Sequence, residues 1–434
     1  MTKGVLYVCY QSITEPLTQT QVVAYLEGLA IAGYKTVLLT FEPIPLTPGE
    51  ESEWGSRLTS LGLTWSWCRY HKRPTVPATA FDILVGVWKG LVLVRRHGVR
   101  LVHARGHVPG VMGALLKRLT NVKLLFDVRG LMAEEYVDAG VWPANGRLFH
   151  WTKCAERRLL KAADGVVVLT ERARALFGEW YSRELTGKAL EVVPCCVDLR
   201  RSVAGGADTG SVANGPPVLV YVGKIGGWYL TEEMVAFVAK ASTLVPGLHW
   251  DVWTQSDPGP LRELVDRHGI AGRVSIGRTT PEALSGHLKR ADAGLSFIKP
   301  CLSKQASSPT KVAEYLAAGL AVVSTRGIGD TDAVLTDGSL TGGGPVGVIV
   351  RHEDDQSYEA ATLRLLELLA DSETPNRCRD VARREFDLVS VGWTRYRALY
   401  EELIGRAGTT PADSRSAGRP EVGPFWDGPH GDPS

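Results

Sequence analysis

The chain has 434 residues, 44% of them hydrophobic and 22% charged, which is enough for two or more globular domains and too hydrophobic for a disordered chain. Its 49 Lys+Arg against 47 Asp+Glu leave a net charge of +2, which argues against bulk nucleic-acid binding. Its 7 cysteines, with no C-x-x-C pair, exclude a disulfide framework and a zinc ribbon, and point to reduced thiols in the cytoplasm.

The amino terminus, MTKGVLYVCY, has a short apolar run but no signal-peptide core or cleavage pattern, so it reads as a first strand. A run of about 18 apolar residues is not evident, and no membrane span is expected. Further strands read at 35–41, 100–104, 122–127, 165–170 and 190–193, with helical patterns at 20–32, 80–96 and 147–162. This alternation predicts an α/β chain with a doubly wound parallel sheet covered on both faces. A stretch rich in Gly, Ala, Ser and Pro at 200–217 reads as a linker. The grammar then restarts, with strands at 218–223, 248–253, 273–276, 293–297, 320–324 and 346–350. The expected organisation is a first Rossmann-like domain over 1–199, the linker, and a second over 218–388. A helix at 389–405 could cross back to the first domain, and a tail over 406–434 is expected to be disordered. Residues 1–200 hold 25 Lys+Arg against 18 Asp+Glu, a balance of +7, and residues 201–434 hold 24 against 29, a balance of −5.

Three segments of the second half carry anion-binding chemistry. In SSPTKVAEYLAAGLAVVST (307–325), Ser308 suits an N-cap, Pro309 a first helical position and Gly319 a C-terminal stop. Val312, Tyr315 and Leu316 make the buried face, and Lys311 and Glu314 lie together away from it. A helix start offers N–H groups to a phosphate, and a carboxylate one turn on suits a ribose diol. A plain surface ion pair explains Lys311 and Glu314 equally well. In VLVYVGKIGGWYLTEEM, a strand runs into Gly223, Lys224, Gly226 and Gly227, where glycines permit close backbone approach and the lysine can hold a phosphate. Trp228 and Tyr229 could stack on a sugar or base, although such aromatics more often pack. Lys299, Lys304 and Lys311 together could clamp a pyrophosphate.

In the first half, His103, Arg105 and His107 follow one strand, and Asp127, Arg129, Glu134 and Glu135 follow the next. All are expected to face the cleft, with Asp127 a base, a hydroxyl-binding group or a turn cap. Asp330-Thr331-Asp332 spells a metal-binding D-x-D but reads better as a cap of the next helix. Glu353-Asp354-Asp355 reads as the acidic start of a helix. The apolar helix FDILVGVWKGLVLV, between RYHKR (69–73) and RRHGVR (95–100), is either a buried crossover, the favoured reading, or a surface that docks on an anionic membrane.

The segments SSPTKVAEYLAAGLAVVS, YVGKIGGWY and VVPCCVD, with EPLTQTQVVAYLEGLAIAGYKTVLLTFE (15–42), resemble retaining family-4-type glycosyltransferases of the GT-B fold, bacterial glycosyl transferases group 1. The resemblance covers roughly residues 4–404. It implies two Rossmann-like domains facing across a cleft, an acceptor side in the first and a donor side in the second. It implies no metal and no cofactor, with a UDP- or GDP-sugar as donor and a hydroxyl acceptor, lipid-linked or otherwise. On this resemblance Glu314 binds the ribose, Ser308, Thr310 and the helix start take the pyrophosphate, and Lys224 matches the basic residue after the first donor-domain strand. His103, Arg105, His107, Arg129 and Glu135 fall on the acceptor side, with Asp127 or His107 orienting the acceptor. Three departures stand out. Ala306 occupies the place of a second Glu near the sugar. The second basic residue after the Gly-rich turn is absent, with Lys304 or Lys299 as its stand-in. Leu17-Thr18-Gln19 replaces a glycine pair after the first strand. A non-catalytic sugar-nucleotide-binding protein and a GT-B phosphorylase or epimerase are the competing readings. A nicotinamide dehydrogenase is disfavoured, because no G-x-G-x-x-G follows the first strand.

Overall fold

The computed structural model describes residues 3–200, 215–341 and 343–405. Most of the expected 200–217 linker and the whole 406–434 tail therefore lie outside the described residues. Two parallel sheets organise the rest. The first holds β1 (Gly4–Cys9), β2 (Lys35–Glu42), β3 (Leu63–Arg69), β4 (Val99–Arg105), β5 (Lys123–Asp127), β6 (Gly165–Val168) and β7 (Ala189–Val192), in the order 3-2-1-4-5-6-7. The second holds β8 (Val218–Val222), β9 (His249–Trp253), β10 (Val274–Gly277), β11 (Ala293–Ser296), β12 (Ala321–Thr325) and β13 (Gly347–Val350), in the order 10-9-8-11-12-13. Strand order reverses between β1 and β4 and again between β8 and β11. Such switch points, at the carboxyl ends of the strands, are where doubly wound sheets bind ligands.

The sheets are buried on both faces, which is why their strands read as continuous apolar runs. One face of the first sheet packs Met112, Leu116, Leu159 and Leu160 from its crossover helices. The other packs Leu26 and Leu29 together with Tyr396, Leu399, Tyr400 and Leu403. Those last four belong to the helix Thr394–Gly405, so the chain's final described helix completes the first domain's core.

Two differences from the sequence reading concern the stretch from β2 to β4. The helix Pro48–Ser60 and strand β3 were not anticipated. β3 is an edge strand whose Trp65, Ser66 and Trp67 are half-exposed, so it lacks an apolar run. The helix Thr75–His97 contains, contrary to expectation, an 18-residue window apolar enough to cross a bilayer by length and composition. It is nonetheless the crossover from β3 to β4. A Cβ on Gly86 would stand 2.6 Å from the Met112 sulfur and one on Gly90 2.8 Å from Leu116, so glycine lets this helix close on its neighbour. Its buried Asp82 accepts hydrogen bonds from the Tyr10 hydroxyl at 2.6 Å and the His71 amide at 2.9 Å. The burial favoured from the sequence holds for one side of the helix only, since 33% of the window is buried.

Candidate functional site

The helix Thr310–Ala318 opens the second domain's half of the cleft. It begins one residue later than its sequence suggests: Pro309 is the N-cap and Ser308 makes no capping bond. The Ser308 hydroxyl instead accepts a hydrogen bond from the Cys195 amide at 3.0 Å, across the domain boundary. The helix stops at Gly319, whose φ of 83° is the left-handed conformation glycine adopts without strain. Val312, Tyr315 and Leu316 are buried as their spacing requires. The Tyr315 hydroxyl also accepts a hydrogen bond from the Val222 amide at 2.9 Å, which fixes the helix start beside the end of β8.

Lys311 departs most from the surface-pair reading. It is 6% exposed, and its ammonium lies 4.2 Å from the Tyr221 ring centre and 4.0 Å from that of Tyr229. Its Nζ makes no hydrogen bond, and it crowds Gly223, where a Cβ would come within 3.0 Å of it. An ammonium held by two ring faces alone is poorly solvated. Burial pushes its pKa down to about 7, with Glu314 opposing the shift. Burial raises the half-buried Glu314 to about 7 in turn, with Lys311 opposing.

The Gly-rich turn serves as a platform for lysines. Trp228 and Tyr229 stack on cations, with the Lys304 ammonium 4.0 Å from the Trp228 ring centre. Lys304 is buried and forms an ion pair of 2.8 Å with Glu135 of the first domain. Lys224 and Lys299 are exposed. Neither lines the cleft pocket of about 400 Å³ into which Arg105, Arg129, Lys304, Thr310 and Lys311 project, together with Ser307 and Ser308. The cations inside the pocket are thus Lys304 and Lys311 from the second domain and Arg105 and Arg129 from the first.

On the first domain, four expected cleft residues are corrected, among them Glu134, which is buried and pairs with Lys153 at 2.8 Å. Asp127 is fully buried, because β5 residues alternate between sheet faces and it points with Leu125 toward the last helix. There it accepts a hydrogen bond from the Tyr396 hydroxyl at 3.1 Å and lies 3.6 Å from Arg129 and 3.9 Å from Arg105. Burial alone would raise its pKa, but Arg129, His103 and Arg105 together hold it well below the usual carboxylate range. His103 is buried on the same face, its Nδ1 2.7 Å from the Tyr400 hydroxyl, and burial lowers its pKa. His107 is buried against Glu156 at 2.9 Å. Of the residues assigned to the acceptor side, Arg105 and Arg129 reach the pocket, and Glu135 meets the second domain through Lys304.

The D-x-D segment is committed elsewhere. Asp330 accepts from the Glu171 and Arg172 amides at 2.6 and 3.1 Å, so it caps a first-domain helix instead of its own. Asp332 accepts from the Gly327 amide at 3.0 Å. Asp354 caps the helix Asp355–Ala370 through the Ser357 amide, as its acidic start suggested. Ala306 packs into the first domain's apolar cluster, so a carboxylate at that position would be buried among hydrocarbon. Glu42 was missed by the sequence reading. Fully buried at the end of β2, it accepts hydrogen bonds from Ser12, the Ile13 amide and Thr40, and so pins the loop that brings Tyr10 and Gln11 to the pocket. A lone acid closing an apolar strand was its only sequence signal.

Two facing doubly wound domains with a cationic pocket across both switch points define the GT-B architecture. The glycosyl transferase 4-like domain matches residues 18–196, and the glycosyl transferases group 1 domain matches residues 216–368. The chain belongs to the glycosyltransferases built from these two domains. Among solved structures, sucrose-phosphate synthase from Thermosynechococcus elongatus is similar at 17% identity and a TM-score of 0.68, covering 93% of this chain and 100% of that one. A glycosyltransferase from Rickettsia africae is similar at 14% identity and a TM-score of 0.69, covering 93% and 99%. Anabaena HepE, solved with UDP and glucose, is similar at 11% identity and a TM-score of 0.62, covering 92% and 99%. At these identities the likeness establishes the fold. No curated protein sequence matches the chain at a significant level.

Proposed function

We propose that this glycosyltransferase takes its sugar from a nucleotide-diphosphate donor, UDP- or GDP-linked, and passes it to an acceptor hydroxyl with retention and without a metal ion. The observation that carries the reading is the buried Lys311 ammonium, without a hydrogen bond, in the cleft at the start of a helix. A desolvated cation beside free helix N–H groups suits an anion of the size of a diphosphate. Lys304, one helical approach away and stacked on Trp228, supplies the second positive charge. Glu314, one turn along, would receive the ribose hydroxyls.

As the glycosidic bond lengthens, negative charge gathers on the leaving phosphate. Lys304, Lys311 and the helix start are in place to stabilise it. The acceptor hydroxyl attacks from the face the diphosphate leaves and gives its proton to the departing phosphate. Asp127 does not serve as base in this scheme: it is buried and ionised between two arginines, and acts by positioning Arg105 and Arg129. Those two arginines line the acceptor side. The acceptor in this proposal is a polysaccharide, lipid-linked or natural-product hydroxyl.

The test is a panel of UDP-, GDP- and dTDP-sugars with EDTA present, read by thermal shift and by released nucleotide. One donor should stabilise the protein and be hydrolysed slowly. Glu314→Ala should raise the donor KM about tenfold or more, the loss expected for a hydrogen-bonded carboxylate. The absence of a second carboxylate at Ala306 favours one competing reading, a protein that binds sugar nucleotides without turnover. Stabilisation with no nucleotide released, even with glycan or lipid-linked acceptors present, would establish it in place of transfer.

A further inference from the structure

We infer that the outer helix layer of the first domain, Thr75–His97, His107–Thr120 and Arg147–Ala162, docks on an anionic lipid surface. The three helices bury their inner sides in a single core on one face of the first sheet, so their outer sides form one surface. On the first helix, Phe81, Leu84, Trp88 and Val92 follow one another at three- and four-residue steps and are 53%, 66%, 65% and 44% exposed. That is an outward apolar stripe along roughly 16 Å of helix. Leu119 on the second helix and Trp151 on the third extend the apolar surface, at 58% and 61% exposed.

Charge identifies the occupant. The three helices carry 10 Lys+Arg and 2 acidic residues, and both acids, Asp82 and Glu156, are fully buried. All the exposed charge on these helices is therefore positive. Lys72 and Arg73 precede the apolar stripe, and Arg95 and Arg96 close it. Cations in the last turn of a helix can serve its dipole, which would account for Arg95 and Arg96. The dipole does not account for Arg147, placed at a helix start where a cation is unfavourable, and stacked 5.3 Å from the exposed Trp151 ring. A second copy docking through the same face would set cations against cations. A bilayer rich in anionic headgroups offers phosphate to the arginines and hydrocarbon to Phe81 and Trp88 together. The layer lies on the membrane and does not cross it, because Thr75–His97 is locked into the sheet through Gly86, Gly90 and Asp82. The three helices start beyond β3, β5 and the Arg105 end of β4, so docking brings the cleft mouth alongside the headgroups. Only this last consequence, access to a lipid-linked hydroxyl, rests on the proposed transferase reading.

The test uses the full chain and vesicles of phosphatidylcholine with and without phosphatidylglycerol, read by co-sedimentation and tryptophan emission. Binding should require phosphatidylglycerol, weaken with salt and shift the emission to the blue. Phe81→Ser with Trp88→Ser, and separately Arg95→Glu with Arg96→Glu, should each lower partitioning by more than about tenfold. Thermal unfolding and release of nucleotide from a soluble donor should stay unchanged in both variants. The inference is overturned by absence of sedimentation with anionic vesicles, by equal binding to neutral ones, by variants that bind like the parent, or by a dimer in solution that Trp88→Ser dissociates. Loss of donor binding in the parent protein would sink the transferase reading and leave the vesicle result standing.

Discussion

Lys311 shows how burial can prepare a site for its ligand. Its ammonium is desolvated and touches only ring faces, so the free protein is poorer for having it there. With Glu314 it forms a pair in which both pKa values lie near 7, each moved chiefly by burial. The pair titrates as a unit. Below that value it carries net positive charge, from charged Lys311 and neutral Glu314. Above it the net charge is negative, from neutral Lys311 and ionised Glu314. A diphosphate favours the charged form of Lys311, so UDP binding should take up one proton near pH 7. Affinity for UDP should hold at lower pH and fall as pH rises through about 7, by up to roughly tenfold per pH unit at the steepest. Calorimetry in buffers of different ionisation enthalpy counts the protons. Lys311→Met should weaken UDP binding at pH 6, flatten the pH profile and raise the unfolding temperature, because it removes an unsatisfied buried charge. A Lys311→Met protein that keeps the parent's profile would show that the lysine is structural.

At the scale of elements, the last helix couples the chain's end to the cleft floor. Tyr396 donates to Asp127, Tyr400 pairs with His103, and just before the helix the Trp393 indole donates to the Ala24 carbonyl at 2.9 Å. Asp127 in turn is the buried counter-charge of Arg105 and Arg129. Asp127→Asn should therefore cost about 3–5 kcal/mol of stability, since the buried Arg105 and the largely buried Arg129 lose their partner. Tyr396→Phe removes one bond to that carboxylate and should cost about 1.5–3 kcal/mol. Urea unfolding measures both, and a loss below about 0.5 kcal/mol for Asp127→Asn contradicts the arrangement. Acid should show the same domain's dependence on buried carboxylates. Burial alone would raise Glu156, yet His107 and Lys153 hold it at about 2 against an ordinary 4.5. Its contribution is thus complete above about pH 4.5 and is lost as pH falls toward 2.

These elements also mark what the sequence could disclose. Strands such as VLVYV and AVVST were legible because burial on both faces leaves mostly apolar and β-branched side chains. The short helix, its buried stripe and its Gly319 stop were legible because capping and periodicity are local. β3 was not, since an edge strand half open to water carries no apolar run. A strand's end tells which loop meets the cleft but not which sheet face a terminal residue takes, and so Asp127 and His103 were misplaced. Ser308 and Asp330 were misread for a different reason: their partners lie 113 and 159 residues away in the chain, on the other domain.

Across the whole molecule, those long-range bonds gather on one segment. The first domain holds the turn Ser303–Ala306 from several sides: the Ser303 amide donates to Asp138 at 2.8 Å, Lys304 pairs with Glu135, and the Thr170 hydroxyl donates to the Gln305 carbonyl at 3.0 Å. Asp330 adds its two bonds to the Glu171 and Arg172 amides next door. Lys304, a pocket cation of the second domain, is thus positioned by the first, and the pocket is whole only while the domains are together. Closed domains also keep water from an activated sugar. Asp330→Ala should loosen this contact without touching the pocket. Two charge-assisted bonds at a partly exposed helix start are together worth about 1–2 kcal/mol, so kcat should fall roughly tenfold while UDP affinity changes little. The ratio of donor hydrolysis to sugar transfer should rise, because the opened cleft admits water. Small-angle scattering should report a larger radius for the variant, converging on the parent's when UDP and acceptor are both present. If Asp330→Ala instead lowers UDP affinity and leaves the hydrolysis ratio alone, the contact serves the donor site directly and not domain closure.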